Sequence, residues 1–206
     1  FRNAGYIAPA LLNFLALLGW SYDDKTTIMS RHELVERFSL ERVVASPATF
    51  DYKKLDWMNG MYLRELQPDE YAHDLLKFLR EQGTAWPDER VRATVPLVQE
   101  KIEKLAQYPD FVRFLFEDVA PPEGLDARIL GGAIERLKAV EPWAAEAIEQ
   151  TLRALVDELG EKPRTGFQPI RLAITGSKVS PGLFESLELL GRDESVARLT
   201  AAVSAA

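Results

Sequence analysis

The chain has no cysteine. That excludes disulfides, thiolate chemistry and every cysteine-ligated zinc site, and it fits a reducing compartment such as the cytoplasm. It has only two histidines, His32 and His73, too few for a histidine-rich metal centre; each is expected on a helix surface, and no metal site is expected. It has no long apolar run: the segment from Ile7 to Trp20 is broken by Pro9 and Asn13 and falls short of the ~20 residues that cross a bilayer, so it predicts a buried helix and no membrane partner. It lacks G-x-x-x-x-G-K-[ST], G-x-G-x-x-G, H-E-x-x-H and G-x-S-x-G, the common phosphate, dinucleotide, zinc and serine-hydrolase signatures. Its adjacent carboxylates, Asp23-Asp24 and Asp157-Glu158, read as solvated faces of loops and helices, so catalysis has no visible seat. Phe1 is preceded by no initiator methionine, basic n-region or cleavage site, so no secretory signal is visible and we read the start as lying inside a longer protein.

What is present is a folded composition. The 206 residues are 47% hydrophobic and 28% charged, enough for one large domain or two to three small ones. The net charge of −7 at first argues against a nucleic-acid partner, because phosphate neutralisation supplies most of that affinity. The charge is segregated, however. Asp110 to Gly160 carries five Arg/Lys against eleven Asp/Glu, a balance of −6, whereas Glu161 to Ala206 carries six against five, a balance of +1. From Lys162 to Phe184 there is no acid; Lys162, Arg164, Arg171 and Lys178 are interleaved there with Phe167 and small hydroxyl residues.

The periodicity predicts an all-α fold. Ala10, Leu11, Phe14, Leu17 and Leu18 recur at helical spacing up to Gly19. Ser30 with Glu33 makes a capping box, and Ser39 before LERV repeats the device. Ser46-Pro47 and Asp51 mark turns before a helix from Lys53 onward; Pro68-Asp69-Glu70 and Pro87-Asp88-Glu89 open two more. The latter pattern runs through Val91, Val95, Val98, Ile102 and Leu105, with a kink or break expected at Pro96. Pro109 starts a further segment, and Pro121-Pro122-Glu123-Gly124 is the linker candidate. Two amphipathic helices follow, then a basic loop from Lys162 to Gly166. Short helices are expected from Pro169 to Thr175, closed by Gly176, and from Pro181 to Leu190, closed by Gly191; a last turn or two covers Asp193 to Val203, and Ala201 to Ala206 is expected to fray.

The stretch ITGSKVSPGLFESLELLG, Ile174 to Gly191, places a small polar loop at a helix mouth. Ser180 followed by Pro181 reads as an N-cap with proline at N1, leaving the N–H groups of Gly182 and Leu183 free to donate. Arg171 offers a planar guanidinium that can pair with a base edge or stack on its face, and Leu183 an apolar wall. The set suits an unstacked single-stranded base better than a phosphate. On composition alone, Ser180 as a mere cap and Arg171 as a mere surface charge stand beside that reading.

Three stretches carry a resemblance: GYIAPALLNFLALLGWS, FSLERVVASPATFDYKKLDWMNGMYLREL and QPIRLAITGSKVSPGLFESLELLG occur in the order and spacing of the C-terminal half of bacterial glutamyl-tRNA synthetases. Neither the KMSKS-type loop nor the HIGH-type ATP motif of that family is present. The resemblance implies a class I synthetase fragment without its active site, holding no cofactor of its own; ATP and glutamate would be bound by the catalytic domain of the parent ligase. It implies a stem-contact domain over 1–66 and two packed helical anticodon-binding subdomains, 67–122 and 123–206. The family's anticodon readers map onto Arg171 of the QPxR motif and onto Ser180 and Leu183 of the [ST]PGLF motif. A further reader, an arginine in some members, aligns with Lys101 in QEKIEKLAQYP, and a lysine lacks the bidentate fork. Lys54 and Asn59 of DYKKLDWMNG are stem-contact candidates, with Trp57 expected in the core. Lys162, Arg164 and Lys178 are candidates for RNA backbone contact. The implied partner is glutamate tRNA, with glutamine tRNA left open, bound by a cytoplasmic monomer; no DNA is implied. The alternative from another class is a helical protein-interaction module docking a basic partner on the acidic Asp110 to Gly160 face.

Overall fold

The helix starts of the N-terminal half have local chemical reasons. In the computed structural model, which describes residues 1–44, 49–120 and 122–204, α1 (Ala8–Ala16) opens with Pro9 in its first turn, where the missing N–H leaves no bond unmade. α2 (Arg31–Arg37) opens on the expected capping box. The Ser30 hydroxyl accepts from the Glu33 N–H at 3.2 Å, and the Glu33 carboxylate accepts from the Ser30 N–H at 2.9 Å. Ser39 does not repeat the device: it precedes a single 3₁₀ turn, Leu40–Arg42, and its hydroxyl bonds the Glu41 carboxylate instead. α3 (Tyr52–Glu65) is capped by Asp51, which accepts from the N–H groups of Lys53 and Lys54. α4 (Pro68–Glu81) begins at the expected proline, and α5 (Asp88–Val98) ends just past Pro96 rather than running on to Leu105. Proline removes the N–H that would bond the carbonyl one turn back, so the helix gives out within its next turn.

These helices build the first of two compact units, Phe1–Tyr108. α1 packs on α2 and α3, and α4 on α5. His32 and His73 are exposed on α2 and α4, as expected. The N-terminal turn is pinned at Gly5, whose carbonyl accepts from the Leu105 N–H at 3.1 Å. Gly5 has φ +83°, and a Cβ there would stand 2.3 Å from the Ala106 nitrogen, so only glycine lets the two segments meet. Two buried asparagines complete the fastening. Asn13 accepts from the Met29 N–H at 2.9 Å and from the Tyr62 hydroxyl at 2.8 Å. Asn59 accepts from the Ile7 N–H at 2.9 Å and donates to the Glu103 carbonyl.

The second unit is Pro109–Ala206. It is entered through α6 (Tyr108–Val112) and a 3₁₀ turn, Arg113–Leu115, and contains α7 (Ala127–Leu137), α8 (Ala145–Glu158), α9 (Pro163–Thr175), α10 (Leu183–Leu190) and α11 (Arg192–Ser204). α7 packs against α8, α9 and α11, and α10 lies on α8. Among the described residues all regular secondary structure is helical, with no strand.

Three expectations change here. The basic loop expected over Lys162 to Gly166 is the first turn of α9: Pro163 occupies its opening position, and the Thr165 and Gly166 N–H groups both bond the Lys162 carbonyl at 2.9 Å. Pro169 therefore lies inside this helix, not at its start. α11 is a full helix to Ser204, covering α7 and α9, so the expected fraying does not reach Ala201–Ser204. Ser46-Pro47, the expected turn, and Pro121, the first residue of the expected linker, lie outside the described residues.

Candidate nucleic-acid interface

The acid-free window folds into α9, a connecting loop and the start of α10. α9 ends as expected at Gly176, which has φ +67°; a Cβ there would stand 2.6 Å from the Val119 side chain, so both the backbone sign and the space select glycine. Beyond it the loop is tied to the helix end. The Thr175 hydroxyl donates to the Arg171 carbonyl at 2.9 Å and accepts the Ser177 N–H at 3.1 Å. The helix end is held from the other side by Arg198 of α11, only 10% exposed, whose Nη1 donates to the carbonyls of Ile174 (2.9 Å) and Phe114 (2.8 Å).

Arg171 and Ser180, expected to serve one base-reading set, are in direct contact. Arg171 Nη1 donates to the Ser180 hydroxyl and, at 2.7 Å, to the Pro181 carbonyl. Burial pushes the Arg171 pKa below the usual arginine value, with Glu185 opposing. An arginine starts so far above neutrality that the group stays charged. Among the described residues, Arg171 Nε and Nη2 carry no hydrogen bond within the chain. Those two nitrogens form one edge of the guanidinium fork, the geometry that pairs with two adjacent acceptors.

Ser180 is not the helix cap. α10 begins at Leu183 with Gly182 as its N-cap, and no side chain caps it. The serine hydroxyl is instead the acceptor that orients Arg171. Leu183 is buried, at 3% exposure, and lines the floor of a cavity of about 680 Å³. Arg164, Phe167, Gln168 and Arg171 of α9 line the same cavity with Lys178 of the loop. α8 contributes Glu149 and Arg153, and α10 contributes Phe184 and Glu185. A second cavity of about 410 Å³ is bordered by Ser177, Val179 and Ser180 together with Phe111, Arg113 and Val119.

Sequence reasoning missed Arg153 and Phe184. The Arg153 guanidinium sits 5.7 Å from the centroid of the Phe167 ring and 6.0 Å from that of Phe184, within cation–π range. The two rings meet edge to face, 5.4 Å apart at 90°. Arg153 pairs with Glu149 four residues earlier on α8, which in the sequence looks like an ordinary surface ion pair.

The remaining candidates separate. Lys162 is the exposed N-cap of α9 and does not line the cavity, whereas Arg164 and Lys178 do. Lys54, on the first turn of α3, and Lys101, just past α5, are exposed but belong to the first unit. Asn59 is corrected: with no exposed surface and both ends of its amide bonded to backbone, it cannot reach RNA without unfolding its surroundings. Trp57 is corrected in the opposite sense, being 43% exposed rather than core. No helix among the described residues is long and apolar enough to cross a membrane.

Fold and site together define a helical binding domain rather than a nucleotide-binding α/β fold. The chain belongs to the anticodon binding domain family, which matches residues 70–203. Residues 1–57 match a second family, the catalytic domain of class I tRNA synthetases (E and Q). The chain is 43% identical to the glutamate–tRNA ligase of Saccharopolyspora erythraea, across 97% of this chain and 43% of that protein. It is 40% identical to that of Chloroflexus aurantiacus, across 100% of this chain and 45% of that protein. It thus spans less than half the length of these relatives. A crystal structure of a glutamate tRNA ligase from Elizabethkingia meningosepticum in complex with its amino acid shares the fold, with a TM-score of 0.82 at 24% identity over 97% of this chain and 41% of that one.

Proposed function

We propose that this chain is the tRNA-binding part of a cytoplasmic glutamate–tRNA ligase, reading the anticodon of glutamate tRNA without a catalytic site of its own. The observation that carries the reading is the Arg171–Ser180 pair at a basic and aromatic cavity inside the family match. Ser180 and the Pro181 carbonyl hold Nη1, so the free Nε and Nη2 edge is presented as a rigid fork to a base edge carrying two acceptors. To Arg164 and Lys178 at the cavity lining, with Lys162 at the head of α9, we assign the phosphates either side of a splayed base; their positive charge supports this. We keep the stem-contact assignment for 1–66, through Lys54 and not Asn59, and the division of the rest into two anticodon-binding parts as functional regions. ATP and glutamate belong to the catalytic part of the parent enzyme. Lys101, a point charge where some relatives carry a fork, bears on whether glutamine tRNA is also bound.

The acidic-module alternative is less favoured by the charge pairing of that face. Among the acids between 110 and 160, Glu135, Glu149 and Glu158 already pair with Lys138, Arg153 and Arg136. A fluorescence-anisotropy titration with a glutamate-tRNA anticodon-arm hairpin tests the proposal. Binding that falls steeply with salt and is lost when the anticodon is changed is expected; no binding at low salt would sink the reading in favour of the interaction module.

A further inference from the structure

The cavity contains more than an edge reader. Phe167 on α9 and Phe184 on α10 are only partly covered, unlike the fully buried Tyr71 and Tyr108 of the first unit, and both face a cavity rather than the core. Arg153 lies over both rings, its guanidinium fixed by Glu149. Because the rings stand at 90°, a flat ligand can lie face-on against one of them only, while the other closes its side. The lining cations Arg153, Arg164, Arg171 and Lys178 outnumber the acids Glu149 and Glu185, and Glu149 is spent on Arg153. A flat, weakly polar body flanked by negative charge is what fits: an unpaired nucleobase with its phosphates.

The geometry points to Arg153, Phe167 and Phe184 as a stacking platform that seats the face of one unpaired base of the RNA loop whose edge Arg171 reads. This rests on the anticodon-reading function proposed above. Arg153 and the two rings supply affinity through the π-face, which every base has; Arg171 supplies selectivity through the edge. Glu149 is a positioning residue, acting through Arg153.

Two substitutions separate the platform from charge and from folding. Phe184→Leu keeps apolar volume but removes the flat face, and Arg153→Lys keeps the charge but removes the plane. Each should weaken binding of the anticodon-arm hairpin roughly tenfold, the size typical of one lost base stack. Hairpins made abasic at each loop position in turn locate the base. At one position the intact chain should lose about as much as the variants do, and the variants should lose nothing further. If Phe184→Leu unfolds by circular dichroism, Arg153→Lys on the exposed face of α8 decides alone. Variants that bind like the intact chain, or whose loss is the same at every abasic position, overturn the platform while anticodon-dependent binding by the intact chain keeps the function. If the intact chain shows no anticodon-dependent binding, both are overturned.

Discussion

In the first unit two asparagines of the distinctive motifs turn inward. Asn13 and Asn59 are fully buried, and their amides carry backbone N–H and carbonyl groups of distant segments. In the second unit the corresponding polar residues turn toward a cavity: Arg171 is half-buried and braced on one nitrogen only. The two units also differ in composition, since all six tyrosines fall before Pro109 and none after it. A polar residue inside a recognisable motif can therefore serve the fold or the ligand. What separates the two cases is whether the hydrogen-bonding groups it leaves free are enclosed, as the Asn13 Nδ2 is, or open to a cavity, as the Arg171 Nε and Nη2 are.

The largest expected difference between the units is in alkali. Burial pushes Tyr62 and Tyr108 up to about 12 from 10.0 and raises Tyr71 further. A folded pKa above the unfolded one favours the neutral phenol, so this contribution is whole below pH 10 and is lost as pH rises toward 12. The first unit should open over that window, with the second outlasting it. Trp143, the only tryptophan beyond Pro109, reports on the second unit once Trp20, Trp57 and Trp86 are replaced. Simultaneous loss of both units would break the contrast.

Next in size, Asn59→Ala should cost about 3 kcal/mol in urea unfolding, because it strands the buried Ile7 N–H and Glu103 carbonyl, and should leave anticodon selectivity unchanged. Wild-type stability combined with weakened RNA binding would restore it as a contact residue. Arg171→Ala is its mirror image. It should lower hairpin affinity by about 1 to 3 kcal/mol while changing stability by less than about 1 kcal/mol; binding equal to that of the intact chain removes it as the reader. The smallest effect belongs to the exposed Lys101. Lys101→Ala should weaken binding by under about 1 kcal/mol, and Lys101→Arg should sharpen discrimination at one anticodon base if a fork is what that position lacks.

Much of the fold was legible because local chemistry fixes it. The Ser30–Glu33 box, the proline at the head of α4 and the glycine closing α9 are decided within a few residues. The failures share another cause. Lys162 to Gly166 has the composition of a loop, yet Pro163 is harmless at a helix start and Gly166 is held close by Val156, where a Cβ would stand 2.5 Å away. Asn59 and Trp57 lie two residues apart on α3, and which of them points inward depends on Ile7 and Glu103, far off in sequence. At the site, motif resemblance found Arg171 and Ser180, but their hydrogen bond is not a spacing rule. Arg153 reaches the cavity from another helix, so no window of sequence around the loop contains it.

The fastening of Asn59 to Ile7 and Glu103 bears on where such a chain can be divided. The seam between the two family matches falls between residues 57 and 70, inside a single compact unit that runs from Phe1 to Tyr108. A break before Asn59 would part its amide from Ile7, and a break after α3 would part it from Glu103. Neither family match taken alone contains Asn59 together with both of its partners, which lie at residues 7 and 103.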